Sequence, residues 1–293
     1  MAAHVPTVKL NDGSSIPILG YGTGTAWIKK GDANEVDRSV VEATKTAIRL
    51  GYRHLDGAEM YKTEKELGLA IKESNIPRDQ FFVTAKASHN IGDVYKAIDE
   101  TLDKMQLDYV DLFLIHSPFF AKTDEELQAK WADMEAIKQS GKARSIGVSN
   151  FVQSHLDAIL KTARVRPAVN QIEYHPYLQH GNILATQQAQ GIITEGFGPL
   201  APLVRARGGP IDETVVRLAK KYGVSEGAIL VRWSIDRGVV TITTSGKEDR
   251  LKEYLSVMDF QLTNEEVFEI ARRGEQKHFR AYWTKDFAPD DRS

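Results

Sequence analysis

YVDLFLIHSP, residues 109–118, holds the pattern from which the architecture follows. Val110–Ile115 is a short run of β-branched, aliphatic and aromatic residues, and it ends on the polar His116. Seven further runs repeat this pattern along the chain. They are Ile16–Gly22, Arg53–Leu55 before Asp56, Phe81–Ala85 before Lys86, and Ser145–Val148 before Ser149 and Asn150. Ala168–Ile172 carries Asn170 and Gln171 and leads to Glu173. Ile192–Thr194 leads to Glu195, Phe197 and Gly198, and Val239–Thr243 leads to Thr244 and Ser245. Between the runs the apolar spacing turns helical. Val36, Val40, Ala43, Ala47 and Leu50 form one stripe, and Leu127, Trp131, Met134 and Ile137 form another behind a capping box at Thr123 and Glu126. Val152, Leu156, Ile159 and Ala163 form a third, and Val215, Leu218, Ala219 and Tyr222 a fourth. Strand–helix alternation throughout implies a parallel sheet, and eight units imply a closed (β/α)8 TIM barrel.

The 293 residues suit one such barrel spanning residues 1–293 as a single domain. VKLNDGSSIPIL reads as an N-terminal β-hairpin turned at Asp12-Gly13, placed to plug one end. About 45 residues separate the Ile192 run from the Val239 run; this stretch holds a Pro/Gly-rich loop at 199–210 and two helices. The tail from Gln276, with Phe279, Tyr282, Trp283 and Phe287, is expected near the barrel mouth. With 38 basic and 40 acidic side chains, net charge −2, the chain offers no field for nucleic acid or an acidic membrane. It has no cysteine, which excludes disulfides, thiolate catalysis and Cys-ligated zinc. No leader-like or membrane-length apolar run is present, so a cytoplasmic, soluble chain is expected, as a monomer or weak homo-oligomer.

In a barrel the carboxyl ends of all strands meet on one face. Asp56, Lys86, His116, Ser149, Asn150, Gln171 and Phe197 therefore converge, although they are spread over more than 140 residues. Each alone has an ordinary reading: Asp56 as a turn or cap residue, Lys86 as a solvated charge, His116 as a hydrogen-bonded core histidine, Ser149 and Asn150 as helix caps. Together those readings require four strand ends to bring Asp, Lys, His and Tyr to one place by accident.

At these residues the chain resembles the aldo-keto reductase family, from about Val8 to about Tyr282. GYRHLDGAEMYKTEKELG (51–68) is similar to the family's G-[FY]-R-x-[LIFV]-D-[STA]-A-x-x-Y-x-N-E-x-x-[LIV]-G signature. YVDLFLIHSP (109–118), GKARSIGVSNF (141–151) and VNQIEYHPYLQ (169–179) resemble three further family segments. GTGTAW, IHSPFF and TTSGKEDRLKE are most similar to the fungal conjugated polyketone and ketopantoyl-lactone-type carbonyl reductases.

The resemblance implies an NADPH-dependent carbonyl reductase with a tetrad of Asp56, Tyr61, Lys86 and His116. Tyr61 protonates the carbonyl oxygen, Lys86 lowers the phenol pKa, Asp56 holds Lys86, and His116 orients the carbonyl. It also implies that Gly22, Thr23, Gly24 and Asp56 approach the nicotinamide ribose, and that Ser149, Asn150 and Gln171 hold the carboxamide. Phe197 then stacks on the ring, where the family usually has tyrosine. Gly198, Leu200 and Ala201 meet the pyrophosphate. Thr244, Ser245, Lys247 and Arg250 form a 2′-phosphate site in which Thr244 stands in place of a lysine. Glu253 and Tyr254 lie near adenine. The substrate pocket is expected from Trp27, Tyr61, His116, Ser117 and Phe119, with Phe120, Tyr174, Tyr282 and Trp283 as further lining. Ser117 stands where many members have tryptophan, which widens and wets the pocket and favours activated ketones and dicarbonyls. Two other readings remain: a cofactor-bound regulatory subunit of the same fold, and a barrel hydrolase or lyase using Asp56 and Glu173.

Overall fold

A computed structural model describes residues 5–293. Two short strands, β1 (Thr7–Lys9) and β2 (Ser15–Pro17), pair antiparallel as the expected hairpin, with Val8 opposite Ile16. Gly13 takes a positive φ of 89°, which its missing Cβ permits. Eight parallel strands then close into a barrel: β3 (Leu19–Gly22), β4 (His54–Asp56), β5 (Phe82–Ala87), β6 (Val110–Ile115), β7 (Ala143–Ser149), β8 (Val169–Glu173), β9 (Ile193–Phe197) and β10 (Val240–Thr243). β10 pairs with β3 to close the ring. The predicted (β/α)8 architecture is therefore present. One run divides: Ile16–Gly22 supplies Ile16 and Pro17 to the hairpin and Leu19–Gly22 to the barrel. Pro17, which has no N–H to give a ladder, ends the hairpin strand.

Leu10 and Ile16 are buried with Phe82, Leu112, Leu114, Ala168, Val169 and Val240, so the hairpin plugs the amino-terminal end of the barrel. The helices form the outer ring. Helix Arg38–Leu50 starts at Asp37, whose carboxylate accepts from Ser39 N at 2.9 Å, and stops at Gly51 with φ 122°. Val36 lies before this helix and is exposed. Helix Asp124–Ser140 buries Leu127, Trp131, Met134 and Ile137 as the stripe predicts. Only half of its capping box forms: Glu126 N donates to Thr123 Oγ1 at 3.3 Å, while the Glu126 carboxylate accepts from Lys122 N. The long crossover from β9 to β10 contains helices Asp212–Tyr222 and Glu226–Asp236, preceded by the short turn Ala201–Val204.

The tail crosses the mouth, as its aromatics predict. The buried Glu173 carboxylate accepts from Ala281 N at 2.8 Å and Tyr282 N at 3.0 Å. Trp283 then packs on Phe119, and Phe119 on Phe287, each with centroids 5.4 Å apart. Among the described residues no helix is long and apolar enough to cross a membrane.

Candidate active site

The strand register brings the expected groups together at the carboxyl end of the barrel. Asp56 closes β4 and Lys86 projects from the neighbouring β5. Lys86 Nζ donates to both carboxylate oxygens of Asp56 at 2.7 Å and to Gly57 O at 2.8 Å, with its side chain wholly buried. Burial opposes the charge on Lys86, but Asp56 and the other acidic groups facing it together outweigh burial and the pKa is raised. Lys86 is therefore charged at neutral pH.

Tyr61 ends a 3-10 turn, Glu59–Tyr61, after β4. Its ring centroid lies 5.0 Å from Lys86 Nζ, and its plane is nearly perpendicular to His116, 5.6 Å away. Burial raises the Tyr61 pKa, and the Lys86 charge opposes that rise without overcoming it. Lys86 thus acts on the phenol in the expected direction, while desolvation keeps the net pKa above its ordinary value in the free protein. His116 follows β6. Burial, then the Lys86 and His89 charges, hold its pKa well below the usual imidazole value, so the ring is neutral. Its Nδ1 has no protein partner. A close backbone approach frames the tyrosine: a Cβ on Gly24 would lie 2.9 Å from the Tyr61 ring. The signature's asparagine position carries Thr63, for which no role was expected. Thr63 is buried and donates to Thr23 Oγ1 at 2.9 Å, tying the Tyr61 loop to the end of β3.

A second group of residues surrounds this centre. Ser149 Oγ donates to Gln171 O at 2.8 Å, and Asn150 Nδ2 donates to His116 O at 2.9 Å and Ser149 Oγ at 3.0 Å. Asn150 has a left-handed φ of 60°, stabilised by those side-chain bonds. Thr23 N donates to Asp56 O at 2.9 Å, which sets Gly22 and Gly24 beside the pair. Phe197 sits at the end of β9 with Tyr282 edge-on at 5.4 Å, and Arg205 lies over Tyr282 at 5.0 Å. Gly198 has φ 69° and would meet the Tyr282 ring at 3.2 Å if it bore a Cβ.

From there a cleft of about 490 Å³ runs outward, lined by Leu200, Leu203, Arg250, Glu253 and Tyr254 among others. Ala201 opens the short turn beside Leu200. Lys247 caps helix Glu248–Leu255, and its N–H donates to Ser245 Oγ at 3.0 Å. Thr244 Oγ1 is buried without a partner. Glu253 Oε1 is committed to Ser225 N at 3.0 Å, so it shapes the cleft wall. Exposed Arg and Lys side chains, the unpartnered Thr244 hydroxyl and an apolar floor suit a phosphorylated ligand with a planar ring.

The substrate expectations divide. Ser117 and Phe119 adjoin His116, and Trp283 stands edge-on to the His116 ring at 5.9 Å. Trp27 goes elsewhere. Its ring packs on Gly246, where an added Cβ would meet it at 3.0 Å, beside β10 rather than with His116. Tyr174 is also misplaced: it is buried outside the barrel, stacked on Trp233 at 5.4 Å, with Arg237 Nε donating to its hydroxyl at 3.2 Å. Phe120 packs against the apolar core. Glu173 is occupied as the tail anchor, which removes it as a general acid or base.

The profile of the Aldo/keto reductase family matches residues 19–274. The chain belongs to the aldo/keto reductase family. It is 41% identical over 273 residues to the NAD/NADP-dependent indole-3-acetaldehyde reductase of Schizosaccharomyces pombe, covering 92% of this chain and 96% of the relative. It is 40% identical over 300 residues to the NADPH-dependent alpha-keto amide reductase of Saccharomyces cerevisiae, covering 97% and 96%. The crystal structure of a Bombyx mori aldo-keto reductase in complex with NADP superposes with a TM-score of 0.83 at 36% identity, covering 92% and 93%.

Three buried residues of the reductase support the site and were not anticipated in these roles. Glu59 accepts from Ser88 N at 2.8 Å and from Asn90 Nδ2 at 2.7 Å, anchoring the Tyr61 turn to the loop after β5. His54 and Glu195 lie inside the barrel beneath Asp56, with His54 Nε2 and Glu195 Oε1 3.3 Å apart. Burial depresses the His54 pKa to about 4 and pushes that of Glu195 up to about 8. Strand parity was the available signal: Glu195 is two residues before Phe197 on the same face of β9 but one layer deeper.

Proposed function

We propose that this reductase converts a ketone or aldehyde, activated ketones and dicarbonyls foremost, into the alcohol with NADPH, and that Tyr61 delivers the proton. The observation that carries this reading is the buried Asp56–Lys86 pair at 2.7 Å beneath a tyrosine and a neutral histidine. A bound nicotinamide supplies the hydride. Tyr61 is protonated at neutral pH and donates to the oxygen on which negative charge develops. Lys86, fixed by Asp56, stabilises the phenolate left behind. Neutral His116 donates to the same oxygen and sets its direction. Phe119 and Trp283 shield the reacting carbon from water, while Ser117 gives the pocket a polar edge for a second carbonyl oxygen.

The residues present fit the cofactor. Gly22, Thr23 and Gly24 supply close backbone approach, Asn150 and Gln171 face the carboxamide with Ser149, and Phe197 takes one face of the ring. Gly198, Leu200 and Ala201 meet the pyrophosphate. Ser245, Lys247 and Arg250, with Thr244, meet the 2′-phosphate, and Tyr254 lies by the adenine. The names of the two yeast relatives, one for an aldehyde and one for an α-keto amide, fall inside this substrate class. The test is a screen of aldehydes, α-keto esters, keto lactones and diketones that follows NADPH absorbance. Turnover of dicarbonyls above simple aldehydes is expected; no oxidation of NADPH with any carbonyl refutes the reading.

A further inference from the structure

We propose that Glu195 is a positioning residue for this reduction: a proton-carrying carboxyl that fixes Gln171 and keeps the charge beneath Tyr61 at zero. His54 Nδ1 faces Pro17 O at 3.3 Å, and a carbonyl only accepts, so Nδ1 holds the ring's proton. The pKa of about 4 keeps the ring neutral, so Nε2 is an acceptor. Nε2 faces Thr84 Oγ1 at 3.2 Å and Glu195 Oε1 at 3.3 Å. An ionised oxygen there would set one lone pair against another in a fully buried place. A proton on Glu195 Oε1 removes that conflict, and no other group satisfies this oxygen.

The other carboxyl oxygen determines what happens at the site. Gln171 Nε2 donates to Glu195 Oε2 at 2.9 Å and to Asp56 Oδ2 at 2.8 Å. An amide has two N–H groups, and both are taken. Gln171 therefore turns its nitrogen inward and presents only its oxygen to a ligand. This part rests on the carbonyl-reduction reading, in which Gln171 Oε1 receives the N–H of the carboxamide. The charged and titratable groups facing Glu195 are His54 and Asp56 on β4 and Lys86 on β5. Strands β8 and β10 contribute the uncharged Gln171, Val240 and Thr241. With Asp56 negative, Lys86 positive, His54 neutral and Glu195 protonated, the cluster sums to zero. Loss of the Glu195 proton makes it −1. A net negative charge opposes the Tyr61 phenolate, which makes Tyr61 a weaker acid and slows reduction.

Glu195→Gln is the direct test, since a glutamine imitates the protonated carboxyl at every pH. For the parent protein with saturating NADPH, the reduction rate should fall about tenfold from pH 6.5 to pH 9, the span of one ionisation near 8. In the Glu195→Gln variant the same ratio should stay within about twofold. Infrared difference spectra of the cofactor-free protein over this pH range should show a protonated carboxyl band that disappears with alkalinity and is missing from the variant. Glu195→Leu, which frees one Gln171 N–H, should raise the KM for NADPH about tenfold above that of Glu195→Gln. Equal alkaline losses in parent and Glu195→Gln overturn the proposal, as does an infrared band unaffected by the substitution. If the parent protein does not bind NADPH, both this proposal and the carbonyl-reduction reading fall. Normal binding with an unchanged profile in Glu195→Gln overturns this proposal alone.

Discussion

Replacing Glu173 with glutamine isolates the bond that keeps the tail over the barrel mouth. Tyr177 N donates to His175 Nδ1 at 3.2 Å, so His175 carries its proton on Nε2 and gives it to Glu173 Oε1 at 2.8 Å. Ala281 N donates to the same oxygen, while Oε2 receives only Tyr282 N. A glutamine must place its NH2 somewhere. Facing Oε1's two donors is worse than facing one, so the amide turns its nitrogen toward Tyr282 N. One charge-assisted hydrogen bond is lost and a donor is stranded, costing about 1.5–3 kcal/mol. That corresponds to tail opening roughly tenfold to a hundredfold more often. Hydrogen exchange resolved by residue is the assay. The Tyr282 amide should exchange faster by that factor, Ala281 by less, and amides of β6 not at all. Trp283 emission should shift as its ring leaves Phe119 and His116, and the KM for substrate should rise. Unchanged protection at Tyr282 would refute the claim that Glu173 anchors the tail.

Other variants probe other parts of the account. Asp56→Asn leaves the buried Lys86 ammonium without its counter-ion, so urea denaturation should show a loss of about 3–5 kcal/mol together with near-complete loss of reduction; a loss below about 1 kcal/mol contradicts the buried pair. Arg250→Ala should weaken NADPH binding about tenfold or more with little effect on NADH, measured by fluorescence titration; equal weakening of both excludes contact with the 2′-phosphate. His116 is held neutral well below its usual range, so the reduction rate should show no step near pH 6.5 on acidification, and a step there that disappears in His116→Gln would contradict its neutrality.

Much of this was legible because apolar runs and strand ends obey simple rules. Val110–Ile115 is the observed β6 to the residue, and Asp56, Lys86 and His116 meet because a closed parallel barrel leaves strand ends no other place to go. Period-2 alternation, carried further, would also have placed Tyr174. It follows Glu173 on β8 and so points outward to Trp233, not into the pocket. The same parity puts Glu195 under Phe197 instead of at the mouth. Trp27 was out of reach of such rules. A three-residue turn, Thr25–Trp27, with Thr25 at φ 47°, swings its ring onto Gly246, and no local pattern encodes that direction. The half-formed capping box at Thr123 has a similar origin: two nearby N–H groups compete for one carboxylate, and Lys122 N wins.

The most direct test of the central claim is single-turnover reduction by Tyr61→Phe preloaded with NADPH. The substitution removes one hydroxyl and keeps the ring that packs on His116. Cofactor binding should persist within about twofold, while the rate of carbonyl reduction drops by about 10²–10⁴, the usual contribution of a positioned general acid. Reduction at close to the parent rate would show that the proton comes from elsewhere and that the tetrad is wrongly assigned.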